Sequence, residues 1–229
     1  MGISDSLRPG LIRVALMLRA GVSTLGIYRS KNRPAKITLQ LSDTEGGHAI
    51  RQHLNSRTLW RRKASALAVL VLPDNHAEYL RGKHRQALRT NAARANRLGF
   101  STRKITAEQL RTITADLVAQ GRQFEWLNLL MAQPIIDGME HWVAENSRGE
   151  VVTIAQLQVD GQVAWIRYFV SSTDTRNSGI RYKLSSDIFS YLIDAGVRYA
   201  IAGSVNDTRP GINYYLERLG FERMRVVQV

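Results

Sequence analysis

The hydrophobic and polar positions of this chain change period several times, and each change marks an element. Lys36-Ile-Thr-Leu-Gln-Leu41 alternates and then runs into Ser-Asp-Thr-Glu-Gly-Gly, so it reads as a strand closed by a turn. Ser65-Ala-Leu-Ala-Val-Leu-Val-Leu72 is apolar throughout and stops at Pro73, the pattern of a strand covered on both faces. Asn75, with Glu78 three residues on, has the spacing of a helix N-cap. It predicts one helix of about 22 residues ending at Gly99. Leu80, His84, Leu88, Asn91, Ala95 and Leu98 would form its packing stripe.

Beyond Gly99, Phe100 to Ile105 reads as a short strand, Thr106 as the cap of a second helix, and Pro134 to Ala144 as a third. Glu150 to Val159 and Gln162 to Val170 alternate around Asp160-Gly161, which predicts a hairpin with a tight turn. A loop from Ser171 to Ser178 follows. Then come a helix over Gly179 to Ala195, a strand over Val197 to Gly203, a helix over Gly211 to Leu219 and a last strand over Phe221 to Val229. That order predicts an α/β (α+β) fold on a mixed sheet.

Leu11 to Ala20 is apolar but interrupted by Arg13 and Arg19. It reads as a short amphipathic helix packed on the core, well under the ~20 apolar residues of a membrane span. Membrane association is not expected. The chain has 229 residues, 44% of them hydrophobic, which is enough for a core without covalent staples. It contains no cysteine, which removes disulfides, thiolate metal sites and a Cys nucleophile, and suits a cytoplasmic setting. The five histidines show no metal-ligand spacing, so no metal is expected, and no Walker or Gly-x-Ser-x-Gly motif occurs.

Charge changes the picture most. The formal net charge is +13, and residues 1–108 carry 20 Lys or Arg against 6 acids, while residues 109–229 are near balance. A polyanionic partner reached by the first half follows. The densest run is "RGKHRQALRTNAARANRLGF", residues 81–100, with six cations, Arg81, Lys83, Arg85, Arg89, Arg94 and Arg97, and no acid. On one continuous helix Arg81, Arg85 and Arg89 would stack at i, i+4, i+8. Such a face is either solvated or built for phosphate, which the guanidinium fork suits.

Two further stretches carry candidate chemistry. By alternation Trp165, Arg167 and Phe169 share one strand face, where Arg167 is either an edge residue over aromatic rings or a site cation for a carboxylate, phosphate or oxyanion. Asn206, Asp207 and Arg209 follow a strand end, where open sheets place ligands and where turns also form.

Val170-Ser-Ser-Thr-Asp-Thr-Arg-Asn-Ser-Gly-Ile-Arg181 resembles the acyl-donor loop of the GNAT acyltransferases, Arg/Gln-x-x-Gly-x-Gly/Ala. Arg176 and Gly179 match, and Arg181 stands where that family has a second small residue. Asn213-Tyr-Tyr-Leu-Glu-Arg-Leu-Gly-Phe221 is similar to the GNAT ending "FYEKLGF", with Leu216 at the position of the frequent Tyr acid and Tyr215 one residue before it. "HRQALRTNAARANRLGF" and "RPGINYYLERLGF" resemble more particularly the Fem-type aminoacyltransferases and the BioF2-like transferases, which share the GNAT fold. The resemblance covers residues 73–229 and leaves 1–72 as a basic N-terminal segment, in the same domain or apart from it.

The resemblance implies a mixed, mainly antiparallel sheet flanked by helices. It implies amide-bond formation on a small-molecule or peptide amine, with an aminoacyl-tRNA as donor and no further cofactor. The alternatives are an acyl-CoA-dependent N-acyltransferase and a non-catalytic nucleic-acid-binding module on the same scaffold. Tyr215, Arg167 and Asn206 are the catalytic candidates, the six cations of residues 81–97 the tRNA or phosphate contacts, and Arg176, Gly179 and Arg181 the donor loop.

Overall fold

The computed structural model describes residues 34–55, 67–204 and 210–229, less positions 123, 125, 126, 133, 134, 137, 173, 174, 176 and 177. The helix expected over Leu11 to Ala20 lies outside them. Residues 35–229 form one compact unit.

Its centre is an eight-stranded sheet: β1 (Ala35–Leu39), β2 (Leu67–Val71), β3 (Ser101–Ile105), β4 (Met139–Glu145), β5 (Val151–Asp160), β6 (Val163–Ser171), β7 (Tyr199–Ser204) and β8 (Glu222–Gln228). The spatial order is β1-β8-β2-β7-β6-β5-β4-β3. Among the described residues, β1 with β8 and β6 with β7 run parallel and the other pairings are antiparallel. This is the mixed, mainly antiparallel sheet that the sequence implied. The strands β1 and β2 belong to it alongside those after residue 72.

The apolar run is β2, clamped between β7 and β8. Its alternate residues serve two cores: Ala68 and Leu70 face one, Leu67 and Val69 the other. The first face is covered by α3 (Gln86–Arg97), α6 (Ile180–Asp194) and α7 (Pro210–Leu219), through Leu88, Ala95, Leu184, Ile188, Phe189, Leu216 and Leu219. The second face carries α1 (Glu45–Asn55) at one end, over Leu39, Val163 and Ile201. At the other end it carries α4 (Ala107–Ala119) and α5 (Leu127–Met131), over Val143, Ile154 and Val170. Thr106 and Gln109 close the expected cap of α4 as a reciprocal pair.

Three expectations fail for identifiable reasons. The long helix after Asn75 is broken: α2 (His76–Tyr79) ends, Gly82 turns at φ 89°, and a single 3-10 turn over Lys83–Arg85 precedes α3. Asn75 does cap α2, its side-chain oxygen accepting from the Glu78 N–H at 2.8 Å. Pro134 to Ala144 is not a helix, because Met139 onward is β4. That strand hid its period by burying both faces, with Val143 and His141 on one and Trp142 and Ala144 on the other. The hairpin turn is Gly161-Gln162 rather than Asp160-Gly161, since Asp160 pairs with Val163. Asp160 instead turns inward and accepts from the Ser42 N–H at 2.8 Å, the Ser42 hydroxyl and the Thr44 hydroxyl, pinning the start of α1.

Candidate active site

Parallel pairing of β6 with β7 covers only Val163–Tyr199, Ala164–Ala200 and Trp165–Ile201. Beyond it β6 continues to Ser171 and β7 to Ser204, so the two strands part and expose backbone edges to whatever enters between them. The parting coincides with a bulge. Leu157 of β5 pairs with Ile166 and Gln156 with Tyr168, which leaves Arg167 as an extra residue on β6.

The bulge corrects the reading that Trp165, Arg167 and Phe169 share a face. Trp165 packs on the α1 side, stacked on His53 with ring centroids 3.9 Å apart. Phe169 packs on the opposite face, edge-on to Tyr215 at 6.5 Å. The half-buried Arg167 guanidinium lies over the Trp165 ring, 5.0 Å from its centroid, and reaches the Met139 sulfur at 3.8 Å. Burial lowers its pKa from the ordinary guanidinium value. The guanidinium thus extends across β5 toward β4, while its backbone sits at the bulge where β6 leaves β7.

The loop expected to take the donor leads from β6 into α6. Gly179 caps α6 in the left-handed region, φ 78°, and lies against the backbone of α3, where a Cβ would collide with the Asn91 carbonyl oxygen. This glycine therefore serves helix packing. The Arg181 side chain turns inward, its Nε donating to the Ser171 hydroxyl at 2.9 Å, and Ser171 lies 3.2 Å from the Thr153 hydroxyl. Arg176 lies outside the described residues, as do Asn206, Asp207 and Arg209.

Tyr215 of α7 lies at the same place. Its hydroxyl donates to the Arg181 carbonyl at 3.0 Å and lies 2.7 Å from the Ser185 hydroxyl, and Tyr182 flanks it edge-on at 5.0 Å. Burial pushes its pKa well above the ordinary tyrosine value. Burial thus holds the phenol neutral, with its proton engaged by the Arg181 carbonyl.

The six cations divide in two. Arg85 is half-buried: its guanidinium lies against Gly220 and 5.3 Å from the centroid of Tyr79. Arg89 donates to the Leu80 carbonyl and, at 3.0 Å, to the Gly82 carbonyl, closing the break after α2. Arg81, Lys83, Arg94 and Arg97 remain exposed. The expected Arg81/Arg85/Arg89 stack does not form, because Gly82 interrupts the helix that would align it.

One group of residues was not foreseen. His141 of β4 and Gln156 of β5 are cross-strand partners, 2% and 1% exposed. Both His141 ring nitrogens and the Gln156 side-chain oxygen are buried without a hydrogen-bond partner. The available signal was Gln156 and Gln158 inside the otherwise apolar Val151–Asp160 strand. Among the described residues no group of three His, Asp or Glu could hold a metal, and no helix is long and apolar enough to cross a membrane.

No family model and no curated protein matches this chain. Solved structures do. FemX matches with a TM-score of 0.50 at 11% identity, over 68% of this chain and 58% of its own. A conserved protein of unknown function from Bacteroides thetaiotaomicron gives 0.51 at 13%, over 79% and 64%. L-PGS from Bacillus licheniformis gives 0.46 at 15%, over 69% and 57%. The chain thus spans under two thirds of each of these structures. The likeness is one of fold alone: a mixed, mainly antiparallel sheet with flanking helices.

Proposed function

We propose that the protein is an acyltransferase that forms an amide bond on an amine acceptor, taking an aminoacyl group from an aminoacyl-tRNA. The observation that carries this reading is the seating of Gly179 on Asn91. It brings α3, with exposed Arg94 and Arg97, directly beside the donor loop and the opening between β6 and β7. A donor whose acyl end enters that opening lays its phosphates along α3. Transfer from an activated ester needs positioning, a free amine and stabilisation of an oxyanion. Arg167 is the candidate cation for the oxyanion, Tyr215 a candidate hydrogen-bond donor through its neutral hydroxyl, and Asn206, which follows β7 in the sequence, a third candidate.

Two features favour tRNA over coenzyme A as donor. The loop glycine is occupied by a helix contact, and Arg181 fills the second small position of the coenzyme A pattern. Incubation with a mixture of charged tRNAs and amine acceptors is the test. Transfer of labelled amino acid, lost in Arg94→Glu/Arg97→Glu, is the expected result. Thermal stabilisation by acetyl-CoA with no tRNA binding selects the acyl-CoA reading instead. Salt-dependent tRNA binding with no transfer from either donor selects the non-catalytic module.

A further inference from the structure

Beneath α4 and α5, on the sheet face opposite α3, lies a pocket of about 180 Å³. Its walls are Leu110, Leu130, Met131 and Ile135, with Arg111 among its lining residues and Gln156 contributed by β5. Three features mark it as built for a ligand. A fully buried side-chain oxygen, that of Gln156, has no partner, a state that costs free energy unless something supplies a donor. His141, its cross-strand neighbour, has both ring nitrogens in the same state. The exposed Arg111 has no carboxylate within ion-pair distance among the described residues, and Arg111 and the desolvated Arg167 both act electrostatically on His141.

The pocket is below the roughly 300–1,000 Å³ of sites for drug-sized ligands, so it suits one amino-acid-sized group rather than a nucleotide. Its chemistry is an apolar wall, a cation and a buried oxygen acceptor, with the unpartnered His141 on the strand beside Gln156. An α-amino acid with an apolar side chain presents the complement: a side chain for the wall, a carboxylate for Arg111, and an amine N–H for the Gln156 oxygen. Gln156 pairs with Tyr168 on β6, one strand spacing of about 4.8 Å from the edge where β6 leaves β7. An amine held at Gln156 is therefore on the strand next to the one that borders the opening.

We infer that this pocket binds an apolar amino acid, free or as the single recognised residue of a short peptide with its carboxylate, as the acyl acceptor. That the ligand is the acceptor rests on the transferase reading; the binding does not. Isothermal titration of the full chain with L-leucine and with L-leucinamide, without tRNA, is the direct test. Leucine should bind saturably, leucinamide at least tenfold more weakly, and Arg111→Ala and Gln156→Leu should each weaken leucine at least tenfold. Arg111 is exposed, so its variant should keep the melting temperature of the parent. Equal affinity for acid and amide, indifference to Arg111→Ala, competition by inorganic phosphate as strong as by leucine, or no binding of leucine at 50 mM would each overturn the inference. Leucine binding without transfer from charged tRNA leaves the pocket standing and removes the transferase reading. Transfer to some other amine, with no leucine binding, does the reverse.

Discussion

Gly179, at the start of α6, lies so close to α3 that a Cβ there would collide with the Asn91 carbonyl oxygen, and this approach seats the basic helix against α6. Its φ of 78° lies in the region that side chains enter at about 1–2 kcal/mol, and the space a methyl group would need is taken by backbone. Gly179→Ala should lose about 2–5 kcal/mol of stability in urea unfolding, adding the strain to the roughly 1–3 kcal/mol of overpacking. A loss below 0.5 kcal/mol would show that α3 and α6 can part, and the argument for α3 as the donor's track would fall with it.

Arg85 and Arg94 belong to the same basic run and should behave differently. Arg85 packs its guanidinium on Gly220 and over Tyr79, so Arg85→Ala should cost about 1–2 kcal/mol through lost packing and cation–π contact. Arg94→Ala on the exposed face should stay within about 0.5 kcal/mol of the parent and show its effect in RNA binding alone. Thermal melts and filter binding on the two variants separate the roles. Equal loss of stability in both would contradict the division.

Much of the fold was legible because its segments keep one period. The Val151–Asp160 and Val163–Ser171 hairpin, β2 and the α6 helix all appear where the patterns put them, and so does the Thr106 cap. The misreadings share one cause: a tertiary feature changed the period. β4 is covered on both faces and so shows no alternation. Gly82 is an isolated glycine inside a helical pattern, and its φ of 89° breaks the period there. The bulge at Arg167 left no trace in the residues around it, yet it decides which side of the sheet Trp165 and Phe169 face. Of the candidate site, the loop before α6 and Tyr215 are singled out by resemblance alone, whereas His141 and Gln156 escape a linear reading because their meaning lies in pairing across strands. Polar residues in an apolar strand were their only mark.

Asp160 makes the fold sensitive to acid. Burial would raise its pKa, but hydrogen bonds from Ser42 and Thr44 outweigh this and hold it below the ordinary carboxylate value. A depressed folded value contributes stability that is present above the unfolded value near 3.9 and is lost as pH falls through the folded one. Asp160→Asn should therefore cost about 1.5–3 kcal/mol at pH 7, the range for hydrogen bonds to a charged group. The gap to the parent should narrow below about pH 4. Denaturant unfolding at pH 7, 5 and 3.5 checks it, and a gap that stays constant with pH would assign the cost to shape alone.

The salt dependence of tRNA binding tests how many cations of the run touch phosphate. Were all six engaged, binding would weaken by about 10³ between 50 and 200 mM salt. Arg85 and Arg89 are committed to Gly220 and to the Leu80 and Gly82 carbonyls, which leaves Arg81, Lys83, Arg94 and Arg97. Four phosphate contacts predict a fall of about 10² over the same range. Arg94→Ala/Arg97→Ala should cut that to about tenfold, because two contacts remain. A double variant with the parent's salt slope would place the RNA elsewhere on the basic half of the chain and detach it from the opening between β6 and β7.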